Sequence, residues 1–177
     1  MEIGSLQGPI GADKEIAVTL HRYHQSSVLA VVLLATASLT GIAQAGQEPT
    51  VIELTQTGCQ FLESENGIDH GFKTSGKADC EAVNSKNGEQ RLAASKTIKL
   101  TPGKYIFRVT NKDVPYMLGF YLRGDGVLSY ATLPRVSGGG LTTGKTQDYA
   151  IDLKPGSYVY SCPLNPTPDY RLEVSAG

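Results

Sequence analysis

Three cysteines and one histidine carry most of the chemistry that the 177 residues could perform once the first 45 are set aside. Cys162 ends an alternating run, Tyr158-Val-Tyr-Ser-Cys162, and is followed by the proline-rich stretch Pro163-Leu-Asn-Pro-Thr-Pro168. A lone cysteine at the end of such a strand, just before a loop, is where a β-sandwich places a metal ligand. A thiolate there would favour a soft metal, with imidazole or thioether as companions. The candidates of those types to join it are Met117 and His70. Cys59 and Cys80 both lie in the polar N-terminal part, outside any strand pattern, and are expected to pair as a disulfide, leaving Cys162 free.

The elements that must position these residues are short strands. Thr50–Thr55 alternates as a first strand, and Thr97–Leu100, Lys104–Asn111, Tyr116–Leu122, Thr146–Leu153 and Tyr170–Val174 follow the same period of two. Tyr105, Phe107 and Val109 face one way. So do Tyr116, Leu118, Phe120 and Leu122, which turns Met117 and Tyr121 to the other face. A short edge strand is expected near Val127–Thr132, and the Ser137–Gly140 cluster reads as loop. Between Gln56 and Ser95 the pattern is lost. Glycines punctuate a polar stretch, read as loop clamped by the disulfide, with a short helix N-capped by Asp79 and a second helical turn near Glu89–Ala94. Leu100-Thr-Pro-Gly-Lys-Tyr105 and Leu153-Lys-Pro-Gly-Ser-Tyr158 echo each other and read as one hairpin solution used twice, each with a type II turn. Seven or so strands with Gly and Pro turns give an antiparallel β-sandwich.

The N-terminus reads as an export signal. Val28–Ile42 is an apolar run with Lys14 and Arg22 upstream, and Ala43-Gln44-Ala45 supplies a small-x-small cleavage pattern. The organisation is then a signal peptide over 1–45, a first strand and disulfide-bridged insertion over 46–95, and the main sandwich over 96–177, with 46–177 forming one domain. The run is too short for a comfortable spanning helix, so no stable membrane anchor is expected after cleavage, and the protein is expected in the periplasm or secreted. Taking the leader's two basic and three acidic residues from the chain's 16 and 17 leaves the remainder neutral. With no basic run, nucleic acid and anionic membrane are excluded as main partners.

The stretches Asn111-Lys-Asp-Val-Pro-Tyr116 and Tyr158-Val-Tyr-Ser-Cys162-Pro-Leu-Asn165 resemble the ligand loops of the cupredoxins, the plastocyanin- and azurin-like copper proteins. The resemblance covers Lys96–Val174 and implies a Greek-key sandwich. It places Tyr116 where the family carries its first histidine and Asn165 where a short loop would carry the second; only Cys162 matches. His21 and His24 fall in the leader, so the mature chain keeps only His70, and a two-histidine type 1 copper centre cannot be built from it. An atypical copper site would need Cys162 with substitutes such as Tyr116, His70 or Met117, the last only if its strand is bulged. His70 either folds over the sandwich end or is an ordinary surface-loop histidine. Cys162 is either an inert core thiol or part of a tyrosine-lined pocket, and it has no adjacent basic residue to activate it as a nucleophile.

Gly139-Gly-Leu-Thr-Thr-Gly-Lys-Thr146 matches the phosphate-loop pattern letter for letter. That chemistry needs a helix after the lysine, whereas Thr146 opens an alternating strand, so nucleotide binding is rejected. The expectation is an exported cupredoxin-like binding module, not an enzyme, without a resident cofactor. It would engage an unknown protein or small ligand at the Tyr116/Cys162 end, and it could serve as an accessory to a copper or redox system. The competing readings are an atypical copper-binding or electron-transfer protein and a redox-active thiol protein.

Overall fold

The structure, a computed structural model, describes residues 48–175. The expected signal peptide and its cleavage site lie outside the described residues. Among these, the chain forms β1 (Thr50–Thr57), β2 (Gln60–Phe61), α1 (Lys77–Ala94), β3 (Ile98–Leu100) and β4 (Gly103–Asn111). It continues with β5 (Leu118–Gly124), α2 (Gly126–Thr132), β6 (Val136–Leu141), β7 (Thr146–Leu153), β8 (Gly156–Ser161) and β9 (Tyr170–Val174).

The strands make two sheets, ordered β2-β1-β4-β7 and β3-β9-β8-β5-β6. Alternation decides which side each strand buries. Tyr105, Phe107 and Val109 of β4, Tyr149, Ile151 and Leu153 of β7, Leu118, Phe120 and Leu122 of β5, and Tyr170, Leu172 and Val174 of β9 all point into one core. Phe61 sits at its centre, edge-on to Phe120, Tyr160 and Tyr170 with centroids 6.1, 5.6 and 6.0 Å away. Each such pair contributes about 0.5–1.5 kcal/mol beyond area burial.

Several expectations are corrected by this architecture. The sandwich is mixed rather than antiparallel, because β1 runs parallel to β4 and β3 parallel to β9. Nine strands form among the described residues. The two Leu-x-Pro-Gly-x-Tyr segments are not hairpins. Each carries the chain from one sheet to the other, β3 to β4 and β7 to β8. In both, the tyrosine hydroxyl donates to the carbonyl four residues back, Tyr105 to Thr101 at 2.8 Å and Tyr158 to Lys154 at 2.9 Å. Their glycines sit at φ 155° and 151°, not at the value of about +80° that a type II turn requires.

Where loop and two helical fragments were expected, α1 is one helix of 18 residues. Its apolar content is too sparse to show a periodic face, with Asn84, Asn87 and Gly88 in its middle. Asp79 is not the N-cap. It stands in the first turn, and its carboxylate accepts from the Ser75 and Gly76 backbone N–H groups at 2.7 and 3.2 Å, satisfying groups that precede the helix. Tertiary ties supply the rest: the Cys59–Cys80 disulfide, and Asn84 Nδ2 donating to the Pro166 carbonyl at 2.9 Å.

Val127–Thr132 is helical, within α2, rather than an edge strand, and Ser137–Gly140 lies in β6 rather than in a loop. Tyr116 and Met117 precede β5, which begins at Leu118. The register of β5 against β6 shifts between Leu118 and Phe120. Gly119 makes the shift feasible, since a Cβ there would stand 2.6 Å from the Gly138 carbonyl oxygen. The Gly139–Thr146 segment is strand, turn and strand, with β7 beginning at Thr146 where a phosphate loop would start its helix.

Candidate functional site

Two clusters of polar side chains are built into the sandwich, and the disulfide loop joins them. The first centres on Asn165, fully buried in the loop after β8. Its Nδ2 donates to the Thr57 carbonyl at 2.9 Å. Its Oδ1 accepts from the Cys59 backbone N–H and from the Tyr116 hydroxyl, each at 3.0 Å. Cys80 Sγ also approaches Oδ1 at 3.0 Å, but a disulfide sulfur has no proton to give, so this is a packing contact.

Cys162 lies beside this amide, just past the end of β8 and almost fully buried. Its sulfur accepts from the Gly119 and Asn165 backbone N–H groups at 3.4 and 3.3 Å. Burial raises the thiol above its ordinary pKa, and the N–H bonds only partly oppose that. Tyr116 is also raised, by burial first and then by the nearby Cys162. The Gly119 bulge thus does two things. It aims an N–H at Cys162, and its carbonyl accepts from Gln56 Nε2 at 2.9 Å.

The structure therefore brings together Cys162 and Asn165, three residues apart in one loop, with Tyr116 from a segment 49 positions before Asn165. It does not bring His70 or Met117 to them. His70 hydrogen-bonds Glu65 through Nε2 at 2.7 Å and stacks on Phe72 with ring centroids 5.3 Å apart. Met117 is 54% exposed. Leu164 is 44% exposed, and a groove of about 600 Å³ runs past Leu164, Pro163 and Gly139. No group of three or more His, Cys, Asp or Glu arranged to hold a metal occurs among the described residues, and His70 is the one histidine there.

The second cluster was not legible from the sequence. Glu65 and Arg91 form a buried ion pair, with Arg91 Nη2 2.6 Å from Oε1 and Nε 3.1 Å from Oε2. The Tyr170 hydroxyl also donates to Oε1, and Arg91 Nη2 donates to the Cys59 carbonyl at 2.9 Å. Burial alone would raise the Glu65 carboxyl. The hydrogen bonds from Arg91 and Tyr170 and the charge of Arg91 outweigh it, so the group stays below its ordinary value. Burial and the Glu65 carboxylate push the Tyr170 hydroxyl strongly upward, which keeps it a donor. These partners lie 26 and 105 positions apart in the chain, so no local motif announces them.

No protein-family model matches the chain, and no curated protein matches it. Among solved structures the chain is similar to auracyanin B, a cupredoxin. That similarity has 11% sequence identity and a TM-score of 0.44, and it spans 73% of this chain and 92% of that one. The fold itself, on the strand order and core above, is a two-sheet β-sandwich with a disulfide-tethered helix.

Proposed function

We propose that the chain is an exported, cupredoxin-like binding module that works without a type 1 copper centre and meets its partner through the end of the sandwich around Tyr116 and Cys162. The observation that carries this reading is the Asn165 cluster. A type 1 centre asks for a thiolate and two imidazoles in a plane. The groups gathered round Cys162 are a phenol, a carboxamide and backbone N–H donors, already bonded to one another. That donor set does not fit the metal. The one described histidine is engaged with Glu65.

Binding rather than catalysis is supported by the same features. Cys162 is buried, its pKa is raised, and no base stands beside it, so it lacks the makings of a nucleophile. Met117 and Leu164 are exposed apolar side chains next in sequence to Tyr116 and Asn165, and a partner docking at this end would cover them. A disulfide held in the core fits an oxidising compartment, in line with the signal-like N-terminus. No described helix is long and apolar enough to cross a membrane.

Copper titration tests the reading. The protein, loaded with Cu(II) and separately with Cu(I), is followed by absorption beside a Cys162→Ala control. No thiolate-to-copper band is expected. An intense band abolished by the substitution would instead establish an atypical copper or electron-transfer site using Cys162. A photo-crosslinker at Met117 or Leu164 is expected to trap a partner in cells, with none trapped from Asp152 on the outer face of β7. Equal trapping from both positions refutes the docking end.

A further inference from the structure

The Glu65–Arg91 pair forms the floor of a cleft of about 280 Å³ between the 65–70 loop and the last turns of α1, and it shares no residue with the Tyr116–Cys162 cluster. We propose that this cleft binds a neutral, polyhydroxylated ligand, one sugar unit in size.

The charges in the cleft are already used. Both Glu65 oxygens are engaged, one by Arg91 and Tyr170, the other by Arg91 and His70. Arg91 Nη2 spans Glu65 and Cys59, and Nη1 donates to Asn84 Oδ1 at 3.0 Å. A carboxylate ligand would meet a guanidinium that is neutralised, and a cation would meet a carboxylate that is neutralised. Neither kind of ion gains much from entering.

The groups left open are carboxamides and one imidazole edge. Asn66, Asn87 and Gln90 line the walls. The Asn66 amide nitrogen is bonded to the Ala94 carbonyl, which leaves its oxygen as an acceptor. Asn87 Oδ1 is buried without a hydrogen-bond partner among the described residues, an unfavourable state that a ligand donor would relieve. His70 Nε2 is bonded to the Glu65 carboxylate, which leaves Nδ1 as the ring's other polar edge. Carboxamides offer a donor and an acceptor from one group, and hydroxyls both give and accept. A ligand rich in hydroxyls is the chemical class that uses such a wall. Ile68, 56% exposed, and Ala94 add a small apolar surface for the C–H face of a ring.

The test is a nuclear magnetic resonance titration of the isotope-labelled protein with glucose, galactose and N-acetylglucosamine, with sodium acetate as the ionic control. At least one sugar is expected to give saturable shifts at the Asn87 and Gln90 side-chain amides and at the His70 ring. Gln90→Ala, on the exposed side of the helix, should weaken that binding about tenfold, and Asn87→Ala should do the same. Absence of saturable shifts with every sugar overturns the proposal, as do shifts with acetate alone or unchanged affinity in both variants. Failure here leaves the copper titration unaffected, so the two readings fall separately.

Discussion

Asn165 Oδ1 accepts a hydrogen bond from the Cys59 backbone N–H at 3.0 Å, across 106 positions of sequence. The same side chain holds the Thr57 carbonyl through Nδ2, so one carboxamide satisfies both a donor and an acceptor of the β1–β2 turn. The disulfide ties that turn to α1. The loop after Cys162 is thereby fastened to the N-terminal part of the fold.

Replacing Asn165 by Ala removes a hydrogen bond from the Thr57 carbonyl and the side-chain acceptor of the buried Cys59 N–H. Two such losses predict a destabilisation of about 2–4 kcal/mol. Urea unfolding with the disulfide intact measures it. A change below about 0.5 kcal/mol would mean that the loop is held by other contacts. Asn165→Asp is expected to be no better, since a carboxylate has no donor for the Thr57 carbonyl.

The Glu65–Arg91 pair predicts a specific acid sensitivity. Glu65 is held below its ordinary value of 4.5 in the fold and returns toward it on unfolding. Its contribution is therefore fully present above the unfolded value and is lost as pH falls through the depressed native value. Thermal unfolding from pH 7 down to pH 2 should show a loss of stability beginning near pH 4.5, and Glu65→Gln should flatten that part of the curve. At neutral pH, Glu65→Gln leaves Arg91 buried without a counter-charge and should cost about 3–5 kcal/mol. Replacing both residues by apolar ones should cost less than the two single changes added together.

How far the sequence could be read follows from the range of each signal. Period-two alternation is local, so β4, β7 and β9 and the inward set Tyr105, Phe107 and Val109 were legible. The free Cys162 and the Cys59–Cys80 bridge were legible too, because three cysteines divided between a polar stretch and a strand leave few pairings. Helix α1 was not. Its stability comes from the disulfide, Arg91 and Asn84, and a helix held at its ends by tertiary ties needs no apolar stripe. Helix α2 read as strand because Val127, Leu128 and Tyr130 suit either element, and all three are exposed, so no burial pattern decides between them. The juxtaposition of Cys162, Asn165 and Tyr116 was in view as a set of candidates. The tie from Asn165 to Cys59 was not, since nothing in either segment encodes a contact over that distance.

Cys162 should be chemically quiet in the folded protein. It is almost fully buried, and burial raises its pKa, so little thiolate exists at pH 8 and little reagent reaches it. Iodoacetamide should label it on the order of a hundredfold or more slowly in buffer than in concentrated urea, with mass spectrometry counting the adducts. Rapid labelling of the folded protein would show that the Asn165 loop opens readily. It would also revive the redox-active thiol reading.

The paired sheet-crossing corners allow one substitution to be tested in two surroundings. Gly103 and Gly156 share a backbone conformation, φ 155° and 151°, that residues with a Cβ rarely adopt, so Gly→Ala carries similar backbone strain at both, about 1–3 kcal/mol. The space around them differs. A Cβ on Gly103 meets nothing nearer than Tyr105 Cε2 at 3.8 Å, an ordinary contact. A Cβ on Gly156 falls 2.6 Å from Leu133 Cδ1, and that side chain, which closes the α2 segment over the sandwich, must move. Gly156→Ala should therefore destabilise by about 1 kcal/mol or more beyond Gly103→Ala, and Leu133→Ala in the Gly156→Ala background should recover part of the difference. Equal costs in urea unfolding would mean that Leu133 yields freely. The clash would then contribute nothing, and backbone strain alone would explain why glycine stands at both corners.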